Sequence, residues 1–340
     1  MELAEFDFPF DPALIASEPV LPRDQARLLV LRPSNQSIAH RLVADLSGLL
    51  APGDLLVVND TKVRPARILG RKRPAGTAVE ILFVKELTDG LWEVLIKGKF
   101  RAGQEIEVSP AARIIIQSRE DGRTLARLDC SMPVWEFFHR FGQMPLPPYI
   151  KREPTDRDRE WYQTVFAHDE GAIAAPTAGL HFTPGLLARL VESGVHLAKV
   201  TLHVGVGTFK PVTVDRVEDH RMSPEWVNVG PDTVLAVERT RRVGGRVVAV
   251  GTTVVRALET ASSQGGLRSY QGETGLFITP GFCFHAVDAL MTNFHLPKTT
   301  LLMLVSAFAG TSLLRRAYDE AIRERYRFYS YGDAMLILLK

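Results

Sequence analysis

The sequence predicts an α/β fold in which a larger, discontinuous α/β domain contains an inserted small β-barrel domain. Short β segments separated by glycine turns crowd residues 63–130, and strands alternate with helices from about residue 155 onward. The first sixty residues also contain a strand of the α/β kind. We therefore expect the α/β domain to comprise residues 1–62 and 150–340, and the barrel to comprise residues 63–149.

The barrel is predicted from closely spaced strands. Turn signals occur at Asp89-Gly90, Gly103 and Asp121-Gly122, and such spacing is typical of a small barrel or sandwich. A helix-like stretch at Pro133–Phe141 and a Pro-rich exit at residues 145–148 follow. The predicted strands are Val79–Val84, Leu91–Ile96, Glu105–Val108, Arg113–Gln117 and Thr124–Leu128.

The α/β domain is predicted from strands that lead into helices. Thr183 is expected to be an N-cap, with Pro184 at the first helical position and Gly194 as the stop. Gly251 follows the β-rich run Arg246–Val250 and leads into a helix that ends near residue 263. The other predicted strands are Leu55–Val58, His196–Leu202 and Ala286–Thr292, and the other predicted helices are Pro231–Val243, Thr299–Ala309 and Leu314–Tyr326.

The overall composition is that of an ordinary globular protein. The 340 residues are 46% hydrophobic and 24% charged, and the net charge is only +2, so RNA contacts would have to come from local basic patches. Cys130 and Cys283 form no CxxC pair, which argues against a disulfide framework and a structural zinc site. The acidic start, and a longest apolar run of about half a membrane span, predict a cytoplasmic protein without a membrane association.

Five short segments rich in Gly, Thr, Asn and His are the most unusual feature. Their glycines permit close approach of the backbone to a ligand, and their polar side chains offer directional hydrogen bonds. Any one segment is equally well explained as a turn with capping residues. Because each adjoins a predicted strand or helix end, the five together predict a shared pocket. They are Asn59–Lys62, Ala175–Phe182, His203–Phe209, Gly251–Arg256 and Thr292–Pro297.

Two of these segments invite comparison with phosphate-binding loops. Gly251-Thr252-Thr253 leads from a strand into a helix N-terminus, which suits a carboxylate or phosphate aided by Arg256, but it lacks the P-loop lysine. Gly205-Val206-Gly207 lacks the third glycine of a dinucleotide fingerprint and is better explained as a plain turn.

The histidines of these segments are candidates for acid–base chemistry. His181, His203 and His295 could each act as a general base or a hydrogen-bond donor, and each could equally be a structural histidine. The chain contains nine histidines but no HExxH, HxH or Cys/His cluster, so we predict no metal site.

Basic residues near aromatic ones are candidate RNA contacts. The range Arg64–Arg73, and the pair Lys151-Arg152 beside Tyr149, form two such groups, although a solvated charged face explains them equally well. In a third group, between residues 315 and 327, the interspersed acidic residues favour a solvated face.

Taken in order, these motifs resemble the S-adenosylmethionine:tRNA ribosyltransferase-isomerase family of queuosine biosynthesis, nearly from end to end. The chain departs from the family pattern at Arg64, Ser223 and Thr279, where Ile, His and Tyr are usual, so we assign no catalytic role to the last two positions. The matching words are long and in a fixed order: Phe6–Phe8, Gly53–Val63, Leu146–Arg152, Tyr162–Val165, Ala175–Phe182, Thr201–Gly205, Gly207–Phe209, Ala249–Thr253, Thr292–Pro297 and Tyr329–Ala334.

The resemblance implies a fold, a reaction and substrates. The family is described as an α/β domain with an inserted β-barrel domain. It transfers and isomerises the ribosyl moiety of S-adenosylmethionine onto 7-aminomethyl-7-deazaguanine at the tRNA wobble position, giving epoxyqueuosine-tRNA, adenine and methionine. The implied partner is tRNA with a GUN-type anticodon. S-adenosylmethionine would be a consumed substrate rather than a cofactor, and we expect a monomer.

This chemistry needs a base near the ribose 5′ carbon, a donor for the departing adenine and a water-poor pocket. We assign the first two tasks to the three histidines, and we assign Asp60 to a ribose hydroxyl or the substrate amine. Lys62 and Arg67 would hold a carboxylate or phosphate, and Gly251–Arg256 the methionine carboxylate. The full set of substrate-binding candidates is Asn59, Thr61, Lys62, Arg67, Tyr149, Thr177, Gly179, Gly205, Gly207, Thr208, Phe209, Thr252, Thr253, Arg256 and Asn293.

Three other functions stay open at this point. A tRNA methyltransferase would use the same donor but would release S-adenosylhomocysteine. A non-catalytic tRNA-binding module would bind without turnover, although phosphate binding alone would need more Lys and Arg than the loops contain. A metal hydrolase would lose its activity to a chelator.

Overall fold

The structure is a computed structural model that describes residues 1–120, 123–205, 207 and 212–339. In chain order, the strands are β1 (Arg27–Arg32), β2 (Ser37–Leu42), β3 (Leu55–Asn59), β4 (Thr61–Val63), β5 (Arg67–Lys72), β6 (Thr77–Thr88), β7 (Leu91–Ile96), β8 (Glu105–Ser109), β9 (Ala112–Glu120), β10 (Arg123–Cys130), β11 (Gly142–Gln143), β12 (Asp169–Ala172), β13 (His196–Leu202), β14 (Glu225–Val229), β15 (Val247–Val250), β16 (Tyr270–Thr274), β17 (Ala289–Asn293) and β18 (Ala334–Leu338). The helices are α1 (Leu46–Leu49), α2 (Val134–Phe141), α3 (Asp158–Trp161), α4 (Pro184–Glu192), α5 (Pro231–Arg242), α6 (Thr252–Ser262), α7 (Thr300–Ala309) and α8 (Thr311–Arg323). None of these helices is both long and apolar enough to span a bilayer.

The chain divides into two compact units. The first comprises Met1–Lys62, Pro148–Arg152 and Trp161–Lys340, and the second comprises Val63–Pro147 and Glu153–Glu160. The first unit is built on a sheet, and the second is built on a barrel.

A nine-stranded mixed sheet forms the centre of the first unit. Its strand order is β16-β14-β13-β3-β15-β17-β18-β1-β2. Four neighbouring strands, β13, β3, β15 and β17, run parallel to one another. The carboxyl ends of these four strands therefore meet at one edge of the sheet. Beyond them, β18 runs antiparallel to β17 and parallel to β1.

The apolar runs of the central strands are buried on both faces. Every residue of β3 is buried, and its side chains alternate between the two faces of the sheet. Leu55 and Val57 belong to one apolar cluster, which includes residues of α5, α6, α7 and α8. Leu56 and Val58 belong to a second cluster, which includes residues of α1 and α4. Continuous apolar strands of this kind are typical of parallel sheets covered by helices.

The second unit contains a closed barrel of six strands in the order β5-β6-β7-β10-β9-β8. The barrel closes where Arg71 and Lys72 of β5 pair with Glu107 and Ile106 of β8. Large aromatic rings fill its interior, with Phe83 in contact with Trp92, Phe137 and Phe138. The predicted fold class, a discontinuous α/β domain with an inserted β-barrel domain, is confirmed.

Several predicted elements agree closely with the structure. The strands predicted at Leu91–Ile96 and His196–Leu202 have those same bounds, and Thr183 caps α4 by accepting a hydrogen bond from the Leu186 amide. The predicted helix at 314–326 instead runs over Thr311–Arg323. The predicted turn at residues 121–122 lies outside the described residues.

The strands that the sequence did not predict include β1, β2, β5, β14, β16 and β18. Strand β5 contains three basic residues, and it lies within the range Arg64–Arg73 that was interpreted as an RNA-binding cluster. In the structure, Ile68 of β5 is buried, and the charged side chains of this region have local partners. Arg67 forms ion pairs with Glu80 and Glu153, and Arg73 pairs with Glu107.

A buried ion pair joins the starts of two sheet strands. Asp54 is 2% exposed and accepts hydrogen bonds from the Ala51 amide and from both the amide and the guanidinium of Arg246. Burial alone would raise the pKa of Asp54, but the hydrogen bonds from Arg246 and the backbone outweigh it and hold that pKa below its usual value.

We predict that Asp54→Asn lowers the free energy of unfolding by about 3 kcal/mol at pH 7, because it leaves the Arg246 charge half-buried without its partner. Urea unfolding followed by circular dichroism measures this change. Glu218→Gln, which removes an exposed ion pair with the Met1 amino group, should leave the unfolding midpoint nearly unchanged. Equal midpoints for Asp54→Asn and the parent chain would contradict the prediction.

Candidate active site

Four of the five predicted segments begin at the carboxyl ends of the four parallel strands. Asn59 ends β3, His203 follows β13, Gly251 follows β15 and Asn293 ends β17. Ligand sites of α/β sheets gather at this edge, as the sequence prediction assumed.

A cavity lies at this edge, and we call it the strand-end cavity. Its volume is about 50 Å³. Among the described residues, the lining contains no Lys, Arg, Asp or Glu, so the polar groups that these residues offer to a ligand are hydroxyls, amides and one imidazole. The lining residues are Tyr149, Ala175, Pro176, Thr177, Ala178, Val204, Gly251, Thr252, Thr253, Thr292, Asn293, Phe294, His295, Leu301, Tyr329 and Ser330.

The side chain of Asn293 connects three separate segments beside this cavity. Its Oδ1 accepts a hydrogen bond from the Thr177 hydroxyl at 2.9 Å. Its Nδ2 lies 3.1 Å from Nε2 of His181 and donates to the carbonyl of Tyr329 at 3.1 Å. Asn293 is 2% exposed, and both protons of its amide nitrogen and its amide oxygen are used in these three hydrogen bonds.

This geometry fixes the protonation of His181. An amide nitrogen only donates, so Nε2 of His181 is the acceptor and the neutral ring carries its proton on Nδ1. The pKa of His181 is lowered to about 4, mainly by burial; Asp333 opposes this shift, and the nearby Arg327 and Arg23 add to it. His181 does not line the strand-end cavity but lies behind Asn293. The structure therefore places it as a support for Asn293.

His295, in contrast, lines the cavity itself. Its Nε2 lies 3.0 Å from the Thr292 hydroxyl, and its backbone amide donates to the hydroxyl of Tyr318. Burial lowers the pKa of His295 to about 3, so the ring is neutral at physiological pH. The Thr292 hydroxyl thus holds the neutral ring at Nε2, so the imidazole presents its hydrogen-bonding groups at a defined position.

The N-terminus of α6 forms another wall of the cavity. Gly251, with φ +94°, adopts a conformation that residues with a side chain rarely take, and it turns the chain from β15 into α6. Thr252 and Thr253 follow at the first helical positions and line the cavity. The buried hydroxyl of Thr253 has no hydrogen-bond partner among the described residues, so a ligand could supply one.

Two cavity residues near the C-terminal strand were not predicted as site residues. Tyr329 has φ +69°, a strained conformation for a non-glycine residue, and its amide donates to the carbonyl of Phe294. Its ring lies 3.9 Å from that of Tyr149, whose hydroxyl contacts the Ser330 hydroxyl at 2.6 Å. The sequence associated Tyr149 with RNA, but the structure places its ring in the cavity wall.

The predicted residues at the ends of β3 and β13 form a second polar cluster, none of which lines the strand-end cavity. Asp60 accepts a hydrogen bond from the Thr201 hydroxyl at 2.7 Å. The Thr61 hydroxyl lies 2.7 Å from Nδ1 of His203, and the His203 ring stacks on Trp226.

Two other candidates of this cluster are occupied by protein partners. The amide of Asn59 bonds with the backbone N–H and carbonyl of Leu202, and so it ties β3 to β13. Lys62 forms an ion pair with Glu170 at 3.0 Å. These contacts give Asn59 a structural role and leave Lys62 on the outer side of the cluster, where it is partly exposed.

The prediction that Arg256 binds a substrate carboxylate does not match its surroundings. Arg256 is 5% exposed, forms an ion pair with the buried carboxylate of Glu225, and donates to the carbonyls of Thr274 and Leu276. The other oxygen of Glu225 accepts the amide of Gly205 at 2.8 Å. Arg256 thus holds the loop after β13 against α6, and its guanidinium is not available to a ligand.

The remaining candidates lie apart. Gly179 is buried in the 3-10 turn Thr177–His181, and Gly207 lies against Ser223. Arg67 belongs to the barrel and is neutralised by two carboxylates. Thr208 and Phe209 lie outside the described residues.

Comparisons with known proteins agree with this architecture. A family model described as "Queuosine biosynthesis protein" matches residues 3–337. Related proteins from Acidiphilium cryptum and Aquifex aeolicus, both named S-adenosylmethionine:tRNA ribosyltransferase-isomerase, are 51% and 49% identical to this chain. The alignments cover 99% of this chain and 99% and 100% of those proteins.

A solved structure also resembles this one. The crystal structure of an S-adenosylmethionine tRNA ribosyltransferase from Thermotoga maritima has 39% sequence identity and a TM-score of 0.58, and the match covers 98% of this chain and 100% of that chain. With a family model and close relatives matching almost its whole length, the chain belongs to the queuosine biosynthesis protein family.

Proposed function

We propose that this chain is an S-adenosylmethionine:tRNA ribosyltransferase-isomerase that binds S-adenosylmethionine in the strand-end cavity. One combination of observations supports the assignment most. The family model matches almost the whole chain, and an uncharged polar cavity lies at the ends of the parallel strands. A ribosyl donor with an uncharged adenosine moiety matches a lining of hydroxyls, amides and aromatic rings.

The α6 N-terminus is the proposed site of the methionine carboxylate. Helix N-termini favour anions, and the unpartnered hydroxyl of Thr253 adds a donor at the same place. Thr252 stands beside it in the cavity wall. Arg256 has no part in this site because Glu225 already occupies its guanidinium.

The proposed reaction begins with a proton transfer. The sulfonium of S-adenosylmethionine stabilises a carbanion at the adjacent ribose 5′ carbon, so a base in the cavity can remove that proton, after which adenine leaves. We assign this proton transfer to His295, since it is the only imidazole among the described residues that line the cavity. Asn293 orients the ribose or adenine, and His181 keeps Asn293 in place.

The finer features of the function belong to the same proposal. The acceptor is 7-aminomethyl-7-deazaguanine at the wobble position of tRNA with a GUN-type anticodon, and the products are epoxyqueuosine-tRNA, adenine and methionine. No cofactor is required, because S-adenosylmethionine is consumed. Free thiols at Cys130 and Cys283 suit the reducing cytoplasm. The proposed oligomeric state is a monomer.

The decisive experiment is to incubate the protein with S-adenosylmethionine and tRNA that contains the deazaguanine precursor. We expect adenine and methionine to be released in equal amounts, and mass analysis should find epoxyqueuosine in the tRNA. Formation of S-adenosylhomocysteine would instead identify a methyltransferase. Tight tRNA binding without turnover would identify a binding module, and loss of activity in a chelator would identify a metal enzyme.

We predict that His295→Ala lowers the single-turnover rate of adenine release about 100-fold or more, because the described cavity lining loses its only imidazole.

His181→Gln should retain much more activity than His181→Leu, since a glutamine oxygen can accept the hydrogen bond from Asn293. His203→Ala tests the second cluster in the same assay. A third alanine variant, His181→Ala, completes the set. Near-normal adenine release from His181→Ala, His203→Ala and His295→Ala would contradict the assignment.

The same assay predicts a pH profile. The pKa values of about 4 and about 3 leave His181 and His295 neutral above pH 5, so the base form is complete there and is lost only as the pH falls further. The single-turnover rate at saturating substrates should therefore be constant between pH 5.5 and 7.5. A step near neutral pH that persists in His295→Ala would assign the base to another group.

We predict that Arg256→Met destabilises the protein by about 3 to 5 kcal/mol, because it leaves the carboxylate of Glu225 buried without its partner. The double variant Glu225→Gln/Arg256→Met should be more stable than Arg256→Met alone, as urea unfolding can show. If Arg256→Met had a normal unfolding midpoint and a raised KM for S-adenosylmethionine, the result would instead support Arg256 as a ligand of the substrate carboxylate.

A further inference from the structure

The barrel has a basic surface of which the sequence analysis singled out only Lys72, as part of the range Arg64–Arg73. Lys97, Lys99 and Arg101 lie in the exposed loop that follows β7, with Phe100 between them. Lys72 of β5 and Arg119 of β9 reach the same loop from two other strands. We call these five side chains, Lys72, Lys97, Lys99, Arg101 and Arg119, the basic loop surface.

Hydrogen bonds and a cation–π contact show that these separate segments converge. Nζ of Lys72 donates to the carbonyl of Lys99 at 2.9 Å and lies 4.7 Å from the centroid of the Phe100 ring. The guanidinium of Arg119 donates to the carbonyl of Gly98. Gly98 has φ +110°, which allows the loop to turn back over these two side chains.

The charges of this surface are not compensated in the way that other barrel charges are. Two other exposed arginines of the barrel do pair with carboxylates, Arg73 with Glu107 and Arg113 with Asp129. Within the described part of the chain, no ion pair involves Lys72, Lys97, Lys99 or Arg101. Backbone carbonyls and an aromatic ring hold Lys72 in place but leave its positive charge and its other donors available.

We propose that the basic loop surface binds the phosphate backbone of the tRNA substrate. The proposal rests on the proposed function, which makes RNA the macromolecule that this chain must hold. With a net charge of only +2, the chain has no strong overall field, so local uncompensated charge is what would attract a polyanion. Phosphate contacts of this kind position the RNA without reading its sequence.

The test compares two double variants that remove the same charge. Lys97→Gln/Lys99→Gln removes two uncompensated charges from the basic loop surface, and Arg73→Gln/Arg113→Gln removes two charges that are already paired. All four residues are exposed or at the barrel surface, so both variants should fold. Binding of fluorescently labelled tRNA is measured by anisotropy at salt concentrations from about 50 to about 300 mM, where phosphate contacts strongly affect the affinity.

We expect the loop variant to raise the Kd for tRNA about 10-fold, and to reduce the slope of log K against log salt by about 2, one for each lost phosphate contact. Its KM for S-adenosylmethionine and its kcat at saturating tRNA should not change. The paired-charge variant should retain the parent affinity and slope. Equal losses in both variants, or parent-like binding by the loop variant, would overturn the proposal.

Two further outcomes separate this proposal from its alternatives. Binding of vesicles that contain phosphatidylserine, lost in the loop variant while tRNA binding persists, would identify a membrane contact and overturn the RNA assignment. The anisotropy measurement does not depend on catalysis. Parent protein that binds tRNA through the loop but releases no adenine would contradict the proposed function and would leave the basic loop surface supported.

Discussion

The amide of Asn293 is the interaction on which the candidate active site depends. It joins Thr177 and His181, more than 100 positions earlier in the chain, to the carbonyl of Tyr329, which lies 36 positions later. Because an amide has both a donor and an acceptor, one side chain can hold three segments in a single arrangement. Because these bonds are buried, they also determine the tautomer of His181.

Much of the fold could be predicted because its signals are local. Parallel strands such as β3 and β13 are long apolar runs, and Thr183 and Gly251 mark helix starts by their own chemistry. Strand β5 was missed because half of its residues are charged, and its place in the barrel depends on pairing with β6 and β8. Pairings between distant segments leave no trace in a local pattern.

The site was predicted in part for the same reason. The sequence identified the segments that meet at the strand ends, but it could not divide them between the strand-end cavity and the cluster around Asp60. Arg256 of α6 looked like a ligand for an anion because its partner Glu225 is 31 positions away, on β14. Tyr329 and Ser330 lie in a matching word but were not predicted as site residues, since their importance comes from backbone conformation and from contact with Tyr149.

Strand β18 lies inside the main sheet, between β17 and β1, although it follows every other strand in chain order. The amide of Arg27, where β1 begins, bonds to the carboxylate of Asp333, 306 positions away, immediately before β18. During translation, the hairpin of β1 and β2 therefore has no place in the sheet until β18 has been made. Until then, the edges of β17 and β1 that pair with β18 stay unpaired. Unpaired strand edges favour aggregation of nascent chains. The complete nine-stranded sheet can therefore form only at the end of synthesis, after β18 has been translated.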